Sequence, residues 1–429
     1  MPAPARSLTL APLRVRSFRY QFPADLLTSW AFEMEFLILG WFVMVQTGSV
    51  LWLTAFGSVQ FVGTLAAPMF GVLGDRLGGR TMLCLMRTGY LVLAVALMGL
   101  GLAGALTPVQ VFVLSALGGI VRPNDLVMRN ALIGDTMPRE HLMGALGLSR
   151  ATVDSARVAG ALAGAGLSSA LGVGGAYAVV ASFYLASLAL TFGVSPGRPV
   201  PDPVAGVRPA GAAGAISLPR PSNWRELVDG LLHVWTTPRL LAAIWLAFLV
   251  NLTAYPTTGG LLPYVARTIY QVDAGGLGWL VAGFSLGALA GSLAMVLTGG
   301  PAHPERAMLL GVIGWYALLL GFGHAQDLAV GLVILVLAGI VQSVAMISLL
   351  ASLLDAAGER FRGRVMGVRM LAVYGLPVGL MAAGALVDRV GFPATVTVYC
   401  LAGLASTALI GLRWRASLWR ARVSGRASA

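Results

Sequence analysis

Two triplets of charged side chains lie within apolar stretches of the chain and mirror each other along the sequence. Their members are Arg122, Asp125 and Arg129, followed by Arg150, Asp154 and Arg157. The three- and four-residue spacings place each triplet on one face of an α-helix. Charge is costly inside a bilayer, so such groups should face protein or a water-filled cavity. The triplets predict a polar interior in which guanidiniums hold an anionic group and carboxylates carry a proton.

Two further acids, Glu33 and Glu35, fall in the first apolar stretch, about 200° apart on a helical wheel. The triplets together contain four Arg and two Asp, and these two Glu would balance the surplus positive charge. The proton-coupling candidates are therefore Glu33, Glu35, Asp125 and Asp154, and the substrate-binding candidates in this region are Arg122, Arg129, Arg150 and Arg157. The alternative is structural, namely a clamp in which the two triplets fix one helical hairpin.

The helices that must position these groups are predicted from composition. Of the 429 residues, 57% are hydrophobic and 11% charged, and the mean hydropathy is +0.82. About 20 apolar residues cross a bilayer, which predicts an all-α membrane protein. We expect twelve spans, at 26–46, 50–73, 80–104, 109–135, 142–170, 175–195, 239–266, 275–299, 306–324, 327–355, 363–387 and 393–412.

The spans fall into two groups of six. We expect an N-terminal bundle at 1–195, a cytoplasmic linker at 196–238 that is rich in Pro, Gly, Ala and Arg, and a C-terminal bundle with a basic tail at 239–429. Most Arg residues lie in segments that share one side of the membrane, whereas Arg267 and Arg389 lie on the other. The positive-inside rule then predicts cytoplasmic termini, and we expect the protein in a bacterial inner membrane.

The second half carries no comparable acid. Its candidates for contact with a substrate are polar and aromatic side chains within apolar stretches, namely Asn251, Tyr255, Gln342 and Tyr374. Asn251 and Tyr255 precede Pro256 and the pair Gly259–Gly260, which should interrupt the seventh helix. Most polar residues in membrane helices only join neighbouring helices, and that alternative remains open here.

Several other functions have little support. The formal net charge is +12, and all basic residues are Arg. A P-loop lysine and a lysine Schiff base are therefore excluded. The charge fits cytoplasmic loops better than nucleic-acid binding. The two Cys residues do not form a disulfide framework, and the four His lack metal-ligand spacing. We expect no enzyme activity, no cofactor and no metal; the expected partners are a small-molecule substrate, protons and the lipid bilayer.

The segment between spans two and three has a distinct pattern of Gly, acid and Arg. Its main positions are Gly71, Asp75, Arg76, Gly78 and Arg80, with Gly79 where a second basic residue would be typical. This pattern resembles the signature loop of the major facilitator superfamily. With the layout of six spans, linker and six spans, the resemblance covers about the whole chain. It implies two six-helix bundles, a gating role for this loop, and a monomer.

Further stretches resemble one branch of that superfamily, which includes enterobactin exporters and macrolide efflux pumps. They are Leu39–Trp41, Thr47–Ser49, Ala131–Ile133, Pro138–Glu140, Ser155–Gly160 and Arg362–Gly367. The branch usually has Gly-Pro where this chain has Gly160 and Ala161. The resemblance implies proton-coupled export of a drug, siderophore or similar amphipathic or anionic metabolite. The alternatives are an importer or facilitator of an organic anion or lipid-like solute without proton antiport, and a non-transporting receptor or scaffold.

Overall fold

The computed structural model describes residues 11–66, 73, 77–195 and 231–415. These residues are almost entirely helical and contain no β-strand. Ten of their stretches are long and apolar enough to cross a membrane. One of the ten, 144–192, contains a break at Gly172, and Val50–Thr64 forms a shorter apolar helix in addition. The predicted all-α membrane fold is confirmed. With the division at Gly172 and the shorter helix, the number of segments is compatible with twelve spans but does not reproduce that count exactly.

The first half begins with a 3₁₀ turn, Ala11–Arg14. Its helices are Arg16–Thr47 (α1), Val50–Val59 (α2), Gly79–Leu102 (α3), Pro108–Thr136 (α4), and the two parts of Arg139–Phe192 before (α5) and after (α6) Gly172. A second 3₁₀ turn, Val62–Ala66, follows α2. α1 starts ten residues before the predicted span because Ser17, Gln21 and Asp25 are buried inside the half despite being polar.

The second half contains Pro238–Thr253 (α7), Ala274–Thr298 (α8), Pro304–His324 (α9) and Phe392–Arg413 (α12). The long helix Leu328–Leu371 breaks at Gly358 into α10 and α11, and α11 continues through a 3₁₀ turn into Gly375–Val390. Gly172 and Gly358 both have positive φ, 68° and 64°, which Gly adopts without steric cost. The predicted interruption of the seventh helix appears as π-helical turns at Pro256–Gly260 and Val265–Ile269.

Capping side chains define several helix starts. Thr107 and Gln110 form a reciprocal capping box before α4. Asp273 accepts a hydrogen bond from the Gly276 amide at 3.0 Å before α8, and Asp327 accepts from the Ala329 amide at 2.8 Å before α10. The loops between consecutive helices are short, so consecutive helices run antiparallel. Every second loop therefore lies on the same face of the bundle. We call the face with the described chain ends and Gly358 the terminal face, and the other the opposite face.

Glycine permits close packing of the helix backbones. A Cβ at Gly287 of α8 would lie 2.0 Å from the carbonyl oxygen of Val336 in α10, and one at Gly379 of α11 would lie 2.0 Å from that of Leu252 in α7. In the first half, Gly164 of α5 lies against the backbone of Met34 in α1. Small residues at such positions are the usual means of close helix approach in membranes. The arrangement fixes α1 and α7 against α5 and α11, respectively.

We expect Gly287→Ala to destabilise the protein, because the added methyl would meet a backbone oxygen that cannot move alone. Overpacking of this kind costs about 1–3 kcal/mol. Thermal unfolding in detergent should show a lowered melting temperature. Gly89→Ala in α3 is the matched control, since nothing lies within 4 Å of its Cβ position. Equal melting temperatures for the two variants would contradict this packing.

The predicted linker falls mostly outside the described residues, which resume at 231. The segment 231–236 is helical, and His233 stacks on Phe361 with ring centroids 4.1 Å apart. In the loop between spans two and three, Gly71, Asp75 and Arg76 also lie outside the described residues. Gly78 has φ 83° directly before α3, and Arg80 lies in its first turn.

Candidate functional site

A cavity of about 370 Å³ lies between the two halves. Its wall combines α1, α2, α4 and α5 from the first half with α8, α10 and the segment 255–263, which follows α7, from the second. Most of the wall is apolar, with aromatic side chains such as Phe32, Phe36 and Phe56. A concave, mainly apolar pocket with a few polar groups is the usual form of a small-molecule site. The cavity is therefore the candidate site.

The polar groups of the wall differ between the two halves. The first half contributes charged side chains, Glu33, Arg122 and Arg157, together with Gln60. The second half contributes uncharged ones, namely Tyr255, Thr258, Ser285 and Gln342. A ligand in this cavity would thus meet charge on one side and hydrogen-bonding groups on the other.

Beside the cavity, four charged groups from three helices form a buried network in the first half. Asp25 of α1 pairs with Arg87 of α3 and lies 3.5 Å from Arg129 of α4, which in turn pairs with Asp125. All four side chains are at most 3% exposed. Arg129 also donates to Ser29 Oγ at 2.7 Å and to the backbone oxygen of Asp25 at 3.1 Å. Two Arg and two Asp leave this network neutral.

A second ion pair connects Glu35 of α1 with Arg122 of α4 at the edge of the cavity. Tyr184 Oη of α6 donates a hydrogen bond to Glu35 at 2.8 Å. Arg122 donates to Gln60 Oε1 at 3.1 Å, and its guanidinium lies 4.5 Å from the ring centroid of Phe32. The Glu35 carboxylate is therefore occupied by a cation and a hydroxyl, and it balances the charge of Arg122.

The second triplet behaves differently from the first. Arg150 and Asp154 pair within α5 at 3.2 Å, with side chains 58% and 31% exposed. Arg157 is exposed to the cavity, and no acidic side chain of the described chain lies within 4 Å of it. Glu33 lines the same cavity as Arg157 and Arg122. Glu33 and Arg157 are thus the charged groups that face the cavity most freely.

The structure does not bring the two triplets together as facing walls of one hairpin. α1 packs along α5 and also contacts α4, and it supplies Asp25 and Glu35 to the first triplet. In the described residues no ion pair joins one triplet to the other. The predicted clamp between the triplets is therefore wrong. Arg87 pairs with Asp25 instead, although the sequence analysis gave it no role. In the sequence it stands out only as a single Arg in an apolar span.

In the second half, Gln342 donates to Tyr255 Oη at 2.7 Å, and Tyr255 meets Trp315 edge-to-face with centroids 5.0 Å apart. Both members of this pair line the cavity. Asn251 instead donates to the Ala247 carbonyl of its own helix at 2.8 Å and packs beside Gly375. Several predicted residues are absent from the described cavity wall, namely Asp125, Asp154, Arg129, Arg150, Asn251 and Tyr374.

The named contacts between the halves lie from mid-depth to the opposite face. Arg267 donates to the Met44 carbonyl at the end of α1, and Ser58 Oγ donates to the Pro377 carbonyl at 3.1 Å. Thr54 of α2 fills the space left by Gly384 of α11. These contacts close the cavity toward the opposite face. Within the described residues, no group of three His, Cys, Asp or Glu side chains could hold a metal ion.

Two helical halves enclose a central, mainly apolar cavity with a few charged groups, which is the architecture of a polytopic membrane transporter. A family model, described as Major Facilitator Superfamily, matches residues 24–379. The chain therefore belongs to the major facilitator superfamily, whose members are secondary transporters of small molecules.

Solved structures show the same fold at low sequence identity. The human organic anion transporter MFSD10 (TETRAN) is 18% identical, with a TM-score of 0.63 over 93% of this chain and 100% of that one. The nucleoside transporter NupG is 14% identical, with a TM-score of 0.66 over 94% and 100%. A D-xylose-proton symporter is 11% identical, with a TM-score of 0.65 over 92% and 96%. No curated protein matches the chain significantly by sequence.

Proposed function

We propose that this protein is a proton-coupled secondary transporter that exports a small amphipathic or anionic organic molecule by alternating access. The observation that carries the proposal is the presence of Glu33 and Arg157 in one cavity, each without a close ion-pair partner in the described chain. Asp25, Glu35, Asp125 and Asp154 all have close Arg partners. Glu33 is the acid that can exchange a proton with the cavity, and Arg157 is the cation available to a substrate.

Coupling follows from competition for Glu33. When Glu33 is ionised, its carboxylate accepts a hydrogen bond from a donor group of the substrate, whose anionic group lies against Arg157. When Glu33 is protonated, that charged acceptor is lost and the substrate is released. A proton bound from one side and a substrate bound from the other therefore replace each other, which is an exchange. Arg122 is less available for the anionic group because Glu35 already balances its charge.

The remaining wall would orient the rest of the substrate. The Tyr255–Gln342 pair presents a phenol and an amide whose positions are fixed by their mutual hydrogen bond. Phe32, Phe36 and Phe56 offer apolar surface for an organic skeleton. The volume of about 370 Å³ is within the range of small-molecule pockets. The description of MFSD10 as an organic anion transporter is in keeping with this chemistry.

Alternating access requires that the cavity open to one face at a time. The contacts of Arg267, Ser58 and Thr54 close it toward the opposite face. With the termini in the cytoplasm, as the Arg distribution predicts, this conformation would load substrate from inside. The loop at Gly71–Arg80 would stabilise closure of the terminal face, and the two bundles would move as units joined by the 196–238 linker, in a monomer in a bacterial inner membrane.

Accumulation of solutes in proteoliposomes tests the proposal. We would use aromatic carboxylates, each with its neutral amide, under an acidic lumen, an alkaline lumen or no gradient. Antiport predicts that an acidic lumen drives carboxylate uptake, because outward proton flow is exchanged for the solute. Passive trapping of weak acids has the opposite dependence, and protein-free liposomes control for it. Uptake independent of the gradient would favour the alternative, an importer or facilitator without proton antiport. No uptake of any carboxylate would contradict the proposed substrate class.

A further inference from the structure

Glu33 and Arg157 line one cavity from two helices whose backbones are in close contact. A Cβ at Gly160 of α5 would lie 3.0 Å from the Glu33 Cβ of α1 and 3.1 Å from the Trp30 carbonyl oxygen. Arg157 comes three residues before Gly160. That spacing puts both positions on the same face of α5, about 4.5 Å apart along its axis. The acid and the base are therefore attached close together on one wall of the cavity.

The two groups do not neutralise each other in this conformation. Among the described residues, neither side chain forms an ion pair within 4.0 Å, with the other or with any third group. The charge of Arg122, by contrast, is already balanced by Glu35. A charged group that is withdrawn from bulk water is costly unless it is paired. The Glu33 carboxylate and the Arg157 guanidinium are therefore both available to a ligand, at separate points of the same wall.

A ligand with a single charge would satisfy only one of these two groups. A monoanion would pair with Arg157 and bring a second negative charge close to the ionised Glu33. A monocation would pair with Glu33 and leave Arg157 uncompensated. A ligand that carries both charges can form a charge-assisted hydrogen bond with each group. A protonated amine suits the carboxylate, and a carboxylate or phosphate suits the guanidinium.

We propose that the substrate is a zwitterion whose ammonium group binds Glu33 and whose anionic group binds Arg157. The inference rests on the proposed transport function and specifies the donor group that competes with the proton for Glu33. A zwitterion adds no net charge to a cavity whose wall is mainly apolar. Its organic skeleton would lie on Phe36 and Phe56, which line the cavity with their rings stacked and the centroids 6.0 Å apart.

Binding of three matched probes to the purified protein tests this inference. Phenylalanine is a zwitterion, 3-phenylpropanoate lacks its ammonium group, and phenethylamine lacks its carboxylate. We expect the wild type to bind phenylalanine about tenfold or more tightly than either analogue, the typical effect of one hydrogen bond to a charged group. Titration calorimetry at mildly alkaline pH, which favours the ionised carboxylate, would give the three dissociation constants. Equal affinity for phenylalanine and 3-phenylpropanoate, or no binding of phenylalanine, would overturn the inference.

Two variants should separate the contributions of the two charges. Glu33→Gln should lose the preference for phenylalanine over 3-phenylpropanoate and keep the preference over phenethylamine, because only the ammonium site changes. Arg157→Gln should keep the first preference and lose the second. Arg389→Gln removes an exposed charge at the end of α11, away from the cavity wall, and should keep both. If Glu33→Gln and Arg157→Gln changed the two preferences alike, the inference would be overturned, since a general effect on the cavity would explain that result.

The proposed function and this inference can fail separately. If the wild type bound phenylalanine and 3-phenylpropanoate equally but accumulated a carboxylate under an acidic lumen, proton-coupled export would stand and the zwitterion would be wrong. If the two variants showed the crossed pattern of preferences but no solute responded to the gradient, the cavity would bind a zwitterion and the proton-coupled function would be wrong.

Discussion

Glu33→Gln is expected to abolish the dependence of transport on the pH gradient while leaving the protein folded. Glu33 lines the cavity and forms no ion pair within 4 Å in the described chain, so its amide isostere disturbs no close contact. For exchange of one proton, each pH unit of gradient supports roughly tenfold accumulation. That tenfold factor should fall to one in Glu33→Gln, measured as solute uptake with and without an acidic lumen.

Glu35→Gln is the matched control for this prediction. It makes the same chemical change two residues away, but at a carboxylate that Arg122 and Tyr184 already bind. We expect lowered thermal stability with a retained response to the gradient. If Glu35→Gln lost the response to the gradient and Glu33→Gln retained it, the coupling acid would be Glu35 and the assignment to Glu33 would be wrong.

Asp25→Asn is expected to cause the largest loss of stability. Asp25 is 1% exposed and is shared by Arg87 and Arg129, so its removal leaves two buried guanidiniums with a single carboxylate, Asp125. Breaking a buried ion pair by removing one partner costs about 3–5 kcal/mol. Thermal unfolding of the purified protein and its yield in the membrane fraction would measure the effect.

Asp154→Asn provides the comparison for Asp25→Asn. Its pair with Arg150 is largely exposed, and such pairs contribute about 0–1 kcal/mol. A small change in melting temperature for Asp154→Asn and a large one for Asp25→Asn are expected. Similar changes for both variants would mean that burial does not distinguish the two networks.

The helical architecture was largely predictable, because a chain in a bilayer must satisfy its backbone within helices and needs long apolar runs to do so. Apolar length therefore located the spans and the interruption near Pro256. It misplaced the start of α1, since Ser17, Gln21 and Asp25 lower the local hydropathy yet are buried by neighbouring helices. Hydropathy measures the side chain alone and not the protein that surrounds it.

The partners of the charged residues could not be predicted in the same way. The two triplets are mirrored about the loop between α4 and α5, which suggested that they face each other. In the structure, α1 supplies acids that pair with Arg122 and Arg129. Which helices are neighbours is a property of the whole fold. The balance of charge was more informative, because the surplus of Arg required acids from elsewhere, and Glu33 and Glu35 lie in the helix that provides them.

Proton release on substrate binding tests the central claim most directly. The purified protein in weakly buffered detergent solution would receive the carboxylate that the wild type accumulates, with a pH-sensitive dye as the readout. Competition between a proton on Glu33 and the exchanged substrate predicts a change in bound protons on binding to the wild type. The same carboxylate should bind Glu33→Gln without any such change. An equal change in both proteins would contradict the role of Glu33 as the coupling acid.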